Sequence, residues 1–438
     1  MNEQERPSEE IQPQAQSTPS TVKEPQSASE SPAEQPRWQQ ILGVILLPLL
    51  AIITAFIISS VFIIISDTEV LAAWGEFFKA PSVAISLSLA KLKLAYSALL
   101  QGGLGDPAAI WHGLKVWQET GDKTQFIQSL EAIDRTLVYS TPYIFAGLAV
   151  ALGFRSGLFN IGVEGQLFVG AMAATYIGYS ISGLPMLIHL PLALLAGALA
   201  GALWSAIAGF LKAYTGAHEV VTTIMLNYVA FRLSDYMLTG PMKRSGFNPV
   251  SPPIKESAWL PKLAPDPLRF HAGFFLALIV AYLVYWFLWK TTWGFEIRTV
   301  GSNPSAARYA GISIARNFIL AMALSGALGG LAGTNEILGV NHFMAQAFSS
   351  GYGFDSIALA LLGKSHPVGV VLASLLWGFL RAGATRMQSV ADIPIDIVQI
   401  VQGMVIVFVA APALVRMIWR IRLLQEEAET IFTRGWGS

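Results

Sequence analysis

Residues 41–66 run without a single charge, and long apolar stretches recur at 136–154, 167–183, 185–211, 270–289, 318–333 and 393–415. Each is close to the roughly 20 residues that an α-helix needs to cross a bilayer. Hydrophobic residues make up 53% of the 438 and charged residues only 13%, against roughly 25% charged in soluble domains. A water-soluble surface cannot be assembled from such a chain. In hydrocarbon every peptide group must be satisfied within the protein, and uninterrupted apolar runs achieve this as helices. The sequence therefore predicts an all-α polytopic membrane protein.

Residues 1–36 are rich in Glu, Gln, Ser and Pro with almost nothing apolar to bury, and read as a disordered acidic tail. The first span, 37–66, is too long for a signal-peptide core and reads as uncleaved. Residues 67–135 are mixed in charge, with Lys91 and Lys93 interrupting their most apolar part, and read as an extracytoplasmic or interfacial segment. The membrane-embedded core then covers 136–415, ahead of a C-terminal tail at 416–438. Residues 220–239 contain Arg232 and Asp235, and 355–362 and 368–380 are short. Counting these three as spans gives about ten, with both termini on one side. Arg155, Lys212, Lys290, Arg298, Arg308, Arg316, Arg416, Arg420 and Arg422 then face the cytoplasm, as the positive-inside rule asks. The loop 240–269 carries Lys243, Arg244, Lys255, Lys262 and Arg269, and only span parity places it outside.

With 28 basic and 28 acidic residues the chain has no net charge to gather nucleic acid. It has no cysteine, which excludes disulfides and thiolate chemistry. Gly363-Lys364-Ser365 lacks the first glycine of a phosphate loop, because Ala358 stands there, and His218-Glu219 is followed by Thr222 instead of a second histidine. No resident cofactor, metal site or catalytic constellation emerges. Gly197, Gly201, Ser205 and Gly209, like Gly326 and Gly330, repeat at the spacing that lets helix backbones approach closely.

Two stretches break the helical pattern. Residues 153–166, Gly-Phe-Arg-Ser-Gly-Leu-Phe-Asn-Ile-Gly-Val-Glu-Gly-Gln, hold four glycines and several polar groups between spans. They fit either a short turn with Glu164 solvated or capping, or unwound backbone lining a polar cavity. The second stretch includes Asn335, Glu336, Asn341, His342, Gln346 and Gly351 to Asp355. Broken segments in both halves point to a central pathway. Arg232 and Asp235 are spaced to pair, and Asp392 and Asp396 suit a helix N-terminus. Between two further spans, residues 293–312 are too long for a simple connector. Asn303-Pro304 starts a helix, 305–310 can form two turns and Gly311 can stop it, giving a short exposed helix suited to docking a partner.

Thr141-Pro142, Gly147 to Ala151 running into Phe159 to Gln166, the loop Gly301 to Ala307, and Phe354 to Ala358 leading to Leu361-Leu362-Gly363 occur in the order found in one family. Over about 137–411 the sequence resembles the permease subunits of bacterial ABC importers for simple sugars, nucleosides and branched-chain amino acids, most closely the longer permease of nucleoside importers. That resemblance implies a second, shorter permease, ABC ATPase subunits that carry the ATP and magnesium, and an extracytoplasmic solute-binding lipoprotein. The loop 290–316 would couple to the ATPase through Glu296, Arg298, Gly301, Asn303, Pro304, Ala306, Ala307 and Gly311. Phe159, Asn160, Glu164, Gln166, Asn227 and Asp355 would line the pathway. A neutral nucleoside offers hydroxyls and base edges to the amides of Asn160, Gln166 and Asn227, and a stacking face to Phe159. A sugar or branched-chain amino acid permease, an ion-coupled secondary transporter and an intramembrane transferase are the alternatives, the last disfavoured by the missing catalytic groups.

Overall fold

The structure, a computed structural model, describes residues 37–420. The acidic tail and most of the C-terminal tail lie outside the described residues. The chain divides into a short unit, Met1–Val44, and a large one, Ile45–Ser438. The contacts below belong to the large unit.

Among the described residues the chain is helical without β-strands, apart from isolated bridges joining Val250 to Ala345 and Lys262 to His271. The order opens with α1 (Arg37–Ser66), α2 (Thr68–Gly75), α3 (Pro81–Leu104), α4 (Pro107–Thr120) and α5 (Thr124–Ser129). It continues with α6 (Glu131–Arg155), α7 (Val163–Ser180), α8 (Met186–Thr215), α9 (Glu219–Thr239) and α10 (Gly273–Lys290). The connector at 290–316 holds α11 (Thr292–Ser302) and α12 (Pro304–Tyr309), and leads into α13 (Ile314–Glu336). Then follow α14 (Tyr352–Leu362), α15 (Pro367–Ala391), α16 (Ile395–Ala410) and α17 (Pro412–Ile418).

Seven helical segments are long and apolar enough to cross a membrane: Leu46–Ser66, α3, α6, α8, α10, α13 with its π-helical extension to Asn341, and α15. The bent pair α16 and α17 makes up to eight. The sequence count of about ten exceeds this because α7, α9 and α14 are shorter or more polar than full spans. A larger difference concerns 67–135. Its middle is α3, a 24-residue helix long and apolar enough to span and packed on α15. The lysine that marks a boundary in a hydropathy reading is internally paired, since Lys91 Nζ lies 2.5 Å from Asp67 Oδ2 and both side chains are about 15% exposed. Likewise 368–380 is only half of α15, whose Arg381 and Arg386 bond to Tyr143 and Gln101 instead of ending the helix.

α13 is the hub, packed on α8, α7 and α6. The small-residue spacing in α8 and α13 does what it suggests: a Cβ added at Gly201 would lie 2.8 Å from Gly330 Cα and 2.9 Å from Gly330 N. Only a glycine pair allows backbones this close. At the end of the bundle remote from α11 and α12, the 240–272 loop is laced to the segment after α13. Ser251 N donates to Met344 O, Ile254 N to His342 O and Leu260 N to Leu338 O, all at 2.8–2.9 Å.

Candidate functional site

α6 ends at Arg155, and the chain turns through residues 156–162 before α7 starts. The first break is a braced turn inside the bundle. Asn160 is fully buried and its amide makes four hydrogen bonds. Nδ2 donates to Ser325 Oγ at 2.8 Å and Gln166 Oε1 at 3.2 Å, while Oδ1 accepts from Gly162 N at 2.9 Å and Gln166 Nε2 at 3.1 Å. Gln166 also donates to Ser205 Oγ at 3.0 Å. Asn227 spans the other side, accepting from Gly165 N at 2.8 Å and donating to Ile161 O at 3.0 Å. These three amides therefore satisfy the backbone freed by the break and join it to α8, α9 and α13. Phe159 is half-buried, its ring 5.1 Å from that of Phe154.

The second break returns to the same place. The chain leaves the π-turn after α13, passes through 342–351, and starts α14 deep in the bundle. Glu164, in the first turn of α7, accepts from Gly353 N, in the first turn of α14, at 2.6 Å. Two interrupted segments thus meet start to start across one carboxylate that is 3% exposed. A carboxyl oxygen that accepts at a helix N-terminus is favourable, and here one side chain sits at two such starts.

Beside this junction lies a group of polar side chains in which Asp355 and Arg381 remain partly accessible while Tyr143 and Tyr352 are buried. Tyr143 Oη donates to Asp355 Oδ2 at 2.7 Å and accepts from Arg381 Nη1 at 2.7 Å. Arg381 and Asp355 stand 3.9 Å apart with side chains 26% and 35% exposed. The guanidinium also lies 5.8 Å from the Tyr139 ring and 5.3 Å from the Tyr352 ring. Tyr143 is twelve residues from either end of α6, Glu131–Arg155, so about 18 Å from each at 1.5 Å per residue. That places the cluster near the middle of a spanning helix. Ionisable groups at such depth face a bundle interior or a watery cavity and mark pathways.

Of the six pathway candidates, Glu164 and Asp355 are brought together at this junction. Asn160, Gln166 and Asn227 are placed in the brace, with their main donors and acceptors occupied. Tyr143 and Arg381 were missed, and Tyr352 was included only as part of the stretch Gly351 to Asp355. Tyr143 sits in an apolar run and Arg381 looks like the end of one; only their spacing from Asp355 in three dimensions reveals the group.

At the far end of α10, the connector folds as expected. Asn303 caps α12, its Oδ1 accepting from Ala306 N at 3.0 Å, and Gly311 leaves the helix at φ +79°. Asn303, Pro304, Ala306 and Gly311 are exposed, Tyr309 is 98% exposed, and Ala307 is buried beneath them. Glu296 and Arg298 turn inward. Glu296 bonds Asn317 Nδ2 at 3.1 Å and pairs with Arg316, and these donors hold its carboxyl below the usual glutamate range. Arg298 Nε donates to Leu288 O at 2.9 Å, and Gly301 packs on the backbone of the first break.

The model of the family described as branched-chain amino acid transport system / permease component matches residues 132–410. The chain belongs to this permease family. It is 40% identical to the guanosine ABC transporter permease of Bacillus subtilis, over 77% of this chain and 94% of the relative. A glucose ABC transporter permease of Haloferax volcanii is 38% identical over 65% of this chain and 78% of its own. A nucleoside ABC transporter permease of Lactococcus lactis is 35% identical over 66% and 82%. No solved structure matches. The matched region, 132–410, begins at the first turn of α6, so α1 to α5 precede the family core. A multi-pass membrane permease accords with the spanning helices and their glycine-mediated packing.

Proposed function

We propose that this permease forms the pathway of an ABC importer for nucleosides, working with a second, shorter permease, separate ATPase subunits and an extracytoplasmic solute-binding lipoprotein. Its N- and C-termini face the cytoplasm, and ATP with its magnesium binds on the ATPase. Support for nucleosides comes from the guanosine and nucleoside permeases among its relatives. The carrying observation is the junction where Glu164 bridges α7 and α14 beside the partly exposed Asp355 and Arg381, which buried Tyr143 links. The half-buried Tyr139 ring beside Arg381 suits a base, and a carboxylate with a guanidinium suits ribose hydroxyls. No tight site is needed, because a pathway that held its solute firmly would not release it. In this reading α12 presents Asn303, Pro304, Ala306 and Tyr309 to the ATPase.

The test is uptake of radiolabelled guanosine, uridine and glucose by cells that lack their own nucleoside import and express the complete complex. ATP-dependent uptake of nucleosides, unaffected by a protonophore when ATP is maintained, is expected. Glucose as the preferred solute would replace the nucleoside assignment, and loss of uptake on collapsing the ion gradient would replace the ATP-driven one.

A further inference from the structure

We propose that Arg155 is the positioning residue through which movement of α11 and α12 reaches the pathway cluster. The proposal rests on the importer reading above. Arg155 closes α6, outside the cluster and outside the exposed face of α12, and its guanidinium meets two separate parts of the chain. Nε donates to Ser365 O at 3.0 Å and Nη2 to Lys364 O at 3.1 Å, both in the turn between α14 and α15. The same group lies 5.3 Å from the Trp289 ring at the end of α10. Arg298, carried by α11, lies 5.8 Å from that ring as well. A rigid planar fork can bond two carbonyls and stack on an indole together, which a lysine cannot do.

What Arg155 holds is under strain. Lys364 and Ser365 adopt φ of +51° and +50°, a left-handed conformation that side-chain-bearing residues rarely take without being held there. Their carbonyls are the ones that Arg155 grips. The turn ends the helix that bears Asp355 and starts the helix that bears Arg381, so any shift in it moves both partners of the pathway cluster. On the other side, α11 rests directly on the first break. Gly157 sits at φ +74°, and a Cβ there would lie 3.1 Å from Gly301 Cα. Movement of α11 would therefore push the break through Gly301 and pull the strained turn through Arg298, Trp289 and Arg155. Both interrupted segments would respond to one displacement. The turn closes on its own backbone bonds, Lys364 N to Leu361 O at 2.9 Å and Ser365 N to Ala360 O at 2.7 Å, and Arg155 ties its left-handed residues to α6 and α10.

The measurement is solute imported per ATP hydrolysed by the complete importer in proteoliposomes, with assembly checked by gel filtration. Arg155→Gln is expected to assemble and hydrolyse ATP while import per ATP falls at least about fivefold, the lower end of typical coupling between sites. Arg155→Lys should fail to restore it, because charge without the planar fork is not enough. The double variant Lys364→Gly with Ser365→Gly, which removes strain and keeps the carbonyls, should also lower import per ATP without lowering the melting temperature. Wild-type import per ATP in assembled Arg155→Gln overturns the proposal. So does wild-type coupling in the double glycine variant when Arg155→Gln fails to assemble, since Arg155 is then an anchor only. Import by the wild-type complex without ATP would instead remove the importer reading itself.

Discussion

Replacing Asn160 by alanine separates bracing from solute contact. The side chain makes four hydrogen bonds, and its removal strands Gly162 N and leaves Gln166 and Ser325 each short of a partner in a region closed to solvent. A typical hydrogen bond contributes about 1 kcal/mol net, and a buried group left unpaired costs roughly 1–3 kcal/mol. Gln166 retains Ser205, and Ser325 still donates to Ala149 O at 2.6 Å, which reduces the loss. The expected destabilisation is about 2–4 kcal/mol, and it should appear as a lower melting temperature in detergent and poor accumulation in the membrane. Uptake per folded molecule should keep the wild-type order of preference among solutes, because the four bonds of Asn160 already commit it to the break. Asn160→Asp should fare no better, as it adds a buried charge and loses the donor to Ser325. A variant of wild-type melting temperature with altered solute preference would falsify this assignment and return Asn160 to the pathway.

Tyr143→Phe removes the hydroxyl that links Asp355 to Arg381 and keeps the ring against Tyr352; maximal uptake should fall at least about tenfold, the effect of roughly 1.4 kcal/mol on a rate, with little change in melting temperature. Gly330→Val drives a branched side chain into the Gly197 and Gly201 backbone, and overpacking of at least about 1–3 kcal/mol should prevent accumulation, measured by immunoblot of membranes. Asp67 caps α2 and pairs with Lys91, and that lysine and the capping amides hold its carboxyl below the ordinary 3.8. Its contribution to stability is therefore complete above that value and is lost as pH falls through the lower folded value. Asp67→Asn should flatten the decline in melting temperature below pH 4, and an unchanged profile would contradict the pairing.

Apolar runs and turn chemistry were legible because they depend on neighbours in sequence. Asn303-Pro304 and Gly311 bound α12 through capping and a left-handed exit, both local effects, and the two glycine-broken segments announced themselves by composition. α3 and the second half of α15 were not legible, because hydropathy treats Lys91, Arg381 and Arg386 as solvated while the fold pairs each with a residue far along the chain. The same limit hid the cluster. Asp355 and Glu164 stood out as charges in broken segments, whereas Tyr143 carries no local mark and Tyr352, though inside the second broken segment, carries no charge to single it out. For Asn160, Gln166 and Asn227 the sequence could show that polar amides lie at membrane depth, but not whether their hydrogen bonds were already taken.

In the proposed pathway, that distinction sets how the two kinds of polar group would divide the labour. An amide whose donors and acceptors are all engaged can bind a solute only by breaking a bond it already makes, so the gain is close to nil. Asp355 and Arg381 are a quarter to a third exposed and stand 3.9 Å apart, bridged by one tyrosine hydroxyl. They can exchange part of that bridge for solute hydroxyls at little cost. The saturated brace keeps the start of α7 fixed, and the Glu164 bond to Gly353 fixes the start of α14 against it. Rigid helix starts beside an exchangeable pair are what a pathway needs: the frame holds while contacts to the cargo form and break.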